Sequence, residues 1–547
     1  MKKSTLFFLL ILSSVFLFAQ NPLVKQWDKR FGGNDNDILY SFQQTIDGGF
    51  ILGGWSDSDS SGDKTQNIWG YNDYWIVKTD SMGNKQWDKD FGGTEGDFFT
   101  IAEQTDDGGY ILGGFSFSDS SGDKTQDAQD TNCTAGCPSD YWIVKIDALG
   151  NKQWDKTFGG FDGDELNSLQ QTADRGYILG GTSYSDIGGD KTQINWGLTD
   201  YWIIKIDSLG NKQWDKDFGG TNREGLYVVH QTIDGGYILG GSSISDSSGD
   251  KTENSWGNYD FWIVKTDSLG NKQWDKDYGG TEGEGIISLL QTADGGYFLG
   301  GPSNSDSSGD KTQNTWGSFL DSDYWIVKTD SLGNKQWDKD FGGGSKDVFS
   351  SVQLTSDGGY ILGGYSESDS SGDKTEYNLG LDQTWIIKTD SIGNKQWDKT
   401  LHTPGRAYIG LVIETKDGCY AMANYVNKGI GGDKTQSSRG GPDYWIIKFC
   451  DSTLTTSINP TSNFQLPISI SPNPFISEIT IIIQNQNIKQ ATITVKNILG
   501  QTVYLKNYQI INNNFQTALD LNFLSKGIYL LEINIDGERM VKKIVKE

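Results

Sequence analysis

Lys25-Gln26-Trp27-Asp28-Lys29 is the first of seven copies of one pentapeptide; the others are centred on Trp87, Trp154, Trp214, Trp274, Trp337 and Trp397. Successive tryptophans lie 60, 67, 60, 60, 63 and 60 residues apart. A fixed period of this length is the mark of one supersecondary unit repeated in tandem, each copy burying its apolar side against the next. The repeat decides the architecture of most of the 547-residue chain before any local reading does.

One copy reads as four strands. Ile286 to Thr292 is a short β-rich run, and Ala293-Asp294-Gly295-Gly296 is a turn. Tyr297-Phe298-Leu299-Gly300-Gly301 is a second strand whose glycines signal close backbone approach. A polar loop from Ser303 to Ser322 leads to a third strand, Asp323 to Asp330. The turn Ser331-Leu332-Gly333-Asn334 then opens the fourth, Lys335 to Phe341. Four antiparallel strands without a helix signal, repeated seven times, predict an all-β fold: a seven-bladed β-propeller of four-stranded, ~60-residue blades over residues 20–450. Composition agrees, because 71 glycines against 9 prolines suit many short strands joined by tight turns. With only 35% hydrophobic residues, 19 Trp, 24 Tyr and 25 Phe must supply much of the buried surface.

The ends of the array imply a closed ring. The last first, second and third strands, Tyr408–Thr415, Cys419–Tyr425 and Asp443–Phe449, have no fourth strand after them. Val24 to Phe31 reads as a fourth strand with no third before it. Pairing the two completes the seventh blade and removes the exposed edges that an open β-solenoid, the rival reading, would leave.

Residues 1–19 read as a cleaved export signal: Lys2 and Lys3, an apolar stretch from Leu6 to Phe18, then the small Ala19. That stretch falls short of the ~20 residues a spanning helix needs, and no later run is long enough. The chain carries a net charge of −26. The signal and the last 80 residues are each +2, which leaves the repeat body and its linker at −30. So acidic a body repels nucleic acid and anionic lipid, and DNA binding is excluded.

The carboxy-terminal segment contains Ser471-Pro472-Asn473-Pro474-Phe475, the strands Glu478–Gln484 and Ala491–Lys496, and Asn497-Ile498-Leu499-Gly500-Gln501. Leu524-Ser525-Lys526-Gly527-Ile528-Tyr529 and the basic end Lys542-Lys543-Ile544-Val545-Lys546 follow. In order and spacing this resembles the type A sorting domain of the type IX secretion system of Bacteroidota, over residues 468–547. The resemblance implies a small β-sandwich recognised by the secretion machinery, and a protein secreted or held at the outer cell surface after passing the periplasm. It carries over to Pro472, Asn473, Pro474, Gly500, Gly527 and Tyr529. An ordinary adhesive β-domain is the alternative. Residues 451–467, rich in Ser and Thr, read as linker and cleavage region.

The hairpin Asp147-Ala148-Leu149-Gly150-Asn151-Lys152-Gln153-Trp154 resembles that of the pyrroloquinoline-quinone-type propellers, which implies a tryptophan docked between neighbouring blades. Those dehydrogenases surround their cofactor with charged residues from unlike blades, and these nearly identical blades offer no such set.

Candidate chemistry gathers on one face, where the loop from second to third strand meets the loop between blades. The first carries Ser-Asp-Ser-Ser-Gly-Asp-Lys-Thr in five copies, with Asp190 and Asp433 keeping the last four residues in the other two. A Trp-Gly pair follows at Trp69, Trp196, Trp256 and Trp316, candidate ligand contacts; the interblade loop adds Glu95 and Glu282. Asp57, Asp59 and Asp63 open like an oxygen-ligand calcium loop but lack its closing glutamate, and a hydrogen-bonded Asx turn accounts equally for the pattern. His230 and His402 do not recur, and the paired carboxylates are alike in every copy, whereas an active site needs unlike groups. In an exported protein the four cysteines suggest the disulfides Cys133–Cys137 and Cys419–Cys450. These features favour a binding or adhesion module whose repeated sites meet a glycan or protein ligand with avidity. The alternatives are a propeller enzyme, hydrolase or quinoprotein-like, with its site in the central channel, and a structural surface-layer protein.

Overall fold

A computed structural model describes residues 23–129, 138–318, 321–451, 468–471, 475–484, 490–497, 502–509, 514–535 and 538–546, in two compact units divided after Ser457. The first unit is seven four-stranded antiparallel sheets. The first blade pairs Asp37–Gln44, Phe50–Ser56, Asp73–Thr79 and Lys85–Phe91 in sequence order. The seventh is made of Leu411–Glu414, Tyr420–Val426, Asp443–Asp451 and, as its outermost strand, Leu23–Phe31 from the other end of the array. Closure is antiparallel, with Val24 opposite Cys450 and Phe31 opposite Tyr444.

In the first six blades the third strand is buried along its whole length, and in the seventh it is buried up to Cys450, because it packs on both neighbouring blades. Strand alternation divides the work. Tyr74 and Ile76 join a cluster with Phe99, Leu112 and Trp142 of the second blade, while Trp75 and Val77 join Tyr444 and Ile446 of the seventh. The hydroxyl of Tyr74 donates to the Trp142 carbonyl at 3.1 Å, and Tyr444 makes the same bond to Trp75 at 3.0 Å, so the closing junction is built like the others.

The repeated pentapeptide is scaffold in every position. Asp88 is buried and accepts from the indole of Trp75 at 3.3 Å and from the Thr65 amide at 2.8 Å, which fastens the long loop to the sheet. Lys85 reaches Asp88 at 2.7 Å and the Asp63 carbonyl. Trp87 docks edge-on against Tyr110 of the next blade at 5.9 Å. Trp87 and Lys89 also cover the hairpin glycine Gly150, which takes φ +80 and has no room for a Cβ beneath the indole. In the closing blade Asp28 plays the same part for Trp445, at 3.1 Å.

The first strands of blades five and seven are shorter than the sequence predicts, Ser288–Gln291 and Leu411–Glu414. In blade five Pro302 stands opposite Gly285 and has no N–H to donate back. In blade seven Asn424 replaces the glycine found at this place in other blades, where a Cβ would strike the first-strand carbonyl, as at Gly54. Its side chain takes the amides of Tyr408 and Ile409, both at 3.3 Å, in place of the ladder. Thr384 stands where most blades have tyrosine, which leaves room for the Asn424 amide to bond it at 2.6 Å.

Cys419, just before the second strand of this blade, and Cys450, in the third, form a disulfide with α-carbons 4.4 Å apart. Cys133 and Cys137 lie outside the described residues, as do the signal and nearly all of the linker.

The second unit is a β-sandwich. Ile468–Ser471, Glu478–Gln484 and Asn514–Asp520 form one sheet. Thr502–Gln509, Gln490–Asn497, Gly527–Ile535 and Glu538–Lys546 form the other, and a shared core holds Ile479, Ile493, Leu519, Leu531 and Ile544. Among the described residues no helix is long and apolar enough to cross a membrane.

Candidate functional site

The face carrying the long loops is held by its own serines and aspartates. Ser61 accepts from the Asn34 amide at 3.1 Å and Ser58 from the Asp35 amide at 2.9 Å, so each long loop carries the interblade loop beside it. Asp57 accepts from the Asn36 side chain at 2.8 Å. Asp63 instead pairs with Arg439 at 2.8 Å and lies 3.6 Å from Arg30. Asp59 is exposed and contributes its carbonyl to Ser61. The three candidate calcium ligands are thus turned to different partners, and no group of three or more His, Cys, Asp or Glu among the described residues is arranged to hold a metal ion.

The four loop tryptophans join blades. Trp69 donates its indole N–H to Asp123 of the next blade at 3.1 Å, Trp256 to Asp310 at 3.0 Å, and Trp316 to Asp373 at 3.0 Å. Each ring, Trp196 included, lies against the glycine preceding that aspartate: Gly122, Gly249, Gly309 or Gly372. Gln129 replaces tryptophan in the second blade and reaches Asp190 at 3.0 Å, while Arg439 on Asp63 makes the link where the ring closes. The rings remain 48–57% exposed, so one indole face is bound and the other is presented outward in a fixed orientation. A cavity of about 490 Å³ opens beside Trp196, lined also by Ile194, Lys216 and Asn271.

Buried acids open the first strands. Asp37, Asp97 and Asp347 are pushed up to about 7, and Asp164 to about 6, by burial that outweighs bonds such as those from Ser56 and the Gly33 amide to Asp37. A carboxyl raised in the folded state holds a proton that the unfolded chain releases near pH 4, so stability falls as pH rises from there toward 7. On the opposite face burial of Asp47 is outweighed by Thr45 and Lys78, which bring it to about 2, and Asp294 is held at about 2 chiefly by Thr292. Their contribution is present above pH 4 and is lost as pH falls toward 2. The midpoint of thermal unfolding is therefore expected to be highest near pH 4–5 and to drop by roughly 3 °C or more by pH 7.5. Asp37→Asn should flatten the fall; a midpoint that rises over this interval would contradict the assignment.

His230 projects from the fourth blade's first strand, and burial lowers it to about 4 despite a bond to the Leu289 carbonyl. The imidazole is thus neutral, and no carboxylate among the described residues bonds it.

The part of the face at which the blades differ is its centre. First strands are innermost, since they bond across blades, as Gln104 does through its amide to the Gln43 side chain at 2.9 Å. The residue after each opening acid (Ala407 in blade seven) is, in blade order, Ile38, Phe98, Glu165, Gly225, Gly285, Val348 and Tyr408. Phe98 stacks on Phe115 at 5.2 Å and Tyr408 on Tyr425 at 5.0 Å, which fills the mouth on that side. Blades three to five instead have Thr182, Ser242 and Pro302 opposite Glu165, Gly225 and Gly285, and leave a cleft of about 500 Å³. Sequence reading missed this cleft because it followed the residues the copies share.

In the second unit Tyr529 is buried and donates to the Ser525 carbonyl at 2.9 Å, and Gly527 begins the strand that follows, with φ +153. Pro472, Asn473, Pro474 and Gly500 lie outside the described residues. Residues 469–547 match the secretion system C-terminal sorting domain family. A chain with this sorting domain engages the type IX secretion machinery and passes through the periplasm to the outer cell surface or the medium. No curated protein matches the chain in sequence. Among solved structures, puromycin hydrolase is similar at 9% identity and a TM-score of 0.35, over 72% of this chain and 59% of its own. The chain thus spans about three fifths of that enzyme. A variant of the Synechocystis apocarotenoid oxygenase is similar at 9% identity and 0.37, over 78% and 94%.

Proposed function

We propose that the propeller is a binding module, exported by its sorting domain, whose loop face engages a polymeric glycan at or beyond the cell surface. The observation that supports this most is the set of half-exposed tryptophans. Their N–H groups and inner faces are already occupied, so the outer faces stay apolar, flat and rigid, and little conformational entropy is lost when a ligand covers them. Trp196, Trp256 and Trp316 lie on three consecutive blades, where contacts that are weak singly reinforce one another along a chain of repeating sugar units.

Affinity electrophoresis of the propeller through gels containing soluble polysaccharides tests the reading. At least one polysaccharide is expected to retard the protein. Replacing Trp196, Trp256 and Trp316 together by alanine is expected to weaken retardation on the order of 100-fold, the scale of lost multivalency. A circular dichroism spectrum unchanged by the substitutions would show that the ring still folds. Equal retardation of the folded variant would overturn the proposal.

A further inference from the structure

The cleft at the channel mouth includes five side chains that the fold leaves unused. Glu165, Tyr184, Arg223, Tyr227 and Tyr259 surround it, and none of their side chains makes a hydrogen bond or ion pair with another described residue. This contrasts with the loops around it, where Ser58, Ser61, Asp57, Asp63 and the indoles are engaged. Burial already disfavours the charged form of the Glu165 carboxylate. Glutamate at this place recurs in no other blade.

The glycines that open the cleft are there for space and not for backbone conformation. Gly225, Gly283 and Gly285 are absent from the residues with positive φ. A Cβ at Gly283 would meet nothing within 4 Å, and at Gly225 and Gly285 the nearest atoms would be 3.6 and 4.0 Å away. The second blade shows what the same backbone accepts, because Phe98 occupies this position and packs on Phe115. The opening is therefore a property of these side chains and not of the ring.

The geometry points to this cleft as the binding site for a short neutral saccharide, one or two sugar units long. About 500 Å³ is in the range of pockets that take small ligands. Three phenol rings offer apolar faces with a hydroxyl at the edge, suited to a ligand that alternates C–H faces with hydroxyl groups. A carboxyl and a guanidinium together supply both acceptors and donors. Charge selects against an anion, which would meet the field of a body at −30 and the glutamates Glu165, Glu224 and Glu284, with Arg223 as the only cation in the lining. A neutral polyol avoids that penalty.

This inference builds on the glycan-binding reading but places the ligand at a separate point on the face. The test is a panel of neutral disaccharides (cellobiose, maltose, mannobiose, xylobiose and chitobiose) titrated into the full chain by saturation-transfer NMR and calorimetry. At least one is expected to bind with a dissociation constant below ~10 mM, a few kcal/mol of free energy. Gly225→Phe and Tyr227→Ala are each expected to weaken it tenfold or more, with the unfolding midpoint little changed. The triple tryptophan variant should keep disaccharide binding even where it loses polysaccharide. If no disaccharide bound at ~10 mM, or if folded Gly225→Phe bound as well as the parent, the assignment would be wrong. Disaccharide affinity lost with the tryptophans and kept in Gly225→Phe would move the ligand to the rim and overturn it equally.

Discussion

Removing residues 23–31 is expected to destabilise the propeller by on the order of 5 kcal/mol or more, and to abolish folding of the seventh blade at physiological temperature. The strand supplies the outer ladder to Asp443–Asp451, the docked Trp27 against Phe50 at 5.9 Å, and Asp28. Loss of Asp28 leaves the buried Trp445 indole without an acceptor and frees the exposed Thr435, whose amide and hydroxyl both bond Asp28. Asp28→Ala alone should therefore cost about 2–3 kcal/mol, because stranding a buried donor costs more than one hydrogen bond is worth. Urea unfolding followed by tryptophan fluorescence measures both. The disulfide Cys419–Cys450 ties the second strand of that blade to the third but not to the N-terminal strand, so it does not compensate. A deletion that unfolds at the same urea concentration as the full ring would mean that the blade closes in some other way.

The same residues explain how far the sequence could be read. Identity between copies reported packing: Trp75 with Asp88 and Trp87 with Gly150 recur because each blade must solve the same junction. The period and the two orphan strands were therefore enough to infer the ring and its closure. Contacts between successive loops were not legible. Nothing local to Trp69 reveals that Asp123, 54 residues on, would take its N–H, and nothing in Asp57-x-Asp59 reveals Asn36 and Arg439 as the partners of that loop. The cleft was hidden for the opposite reason. Its signal is a difference between copies, Glu165 and two glycines where other blades place larger apolar side chains, and a reading tuned to repetition passes over it. Pro302 and Asn424 show the same effect on a smaller scale, since single departures from the repeat shorten a strand that the pattern had predicted in full.

The largest effect outside the propeller should come from the sorting domain. Its core of Ile479, Ile493, Leu519, Leu531 and Ile544 is separate from the aromatic clusters of the blades. Removing residues 468–547 should accordingly leave the propeller folded while withdrawing the feature that the secretion machinery recognises. A folded domain that has lost its export signal at the second membrane accumulates behind it. The truncated protein should then be soluble in the periplasm, with an unfolding midpoint close to that of the propeller within the full chain.

Where the closed ring ends up shows whether the last domain carries it outward. The measurement is protease shaving and antibody labelling of intact cells of the native host, with full-length and 468–547-deleted protein compared alongside the culture medium. The full chain is expected on the outer surface or in the medium, and the truncated chain only after the outer membrane is broken. Truncated propeller labelled on intact cells, or full-length protein confined to the periplasm, would contradict the account.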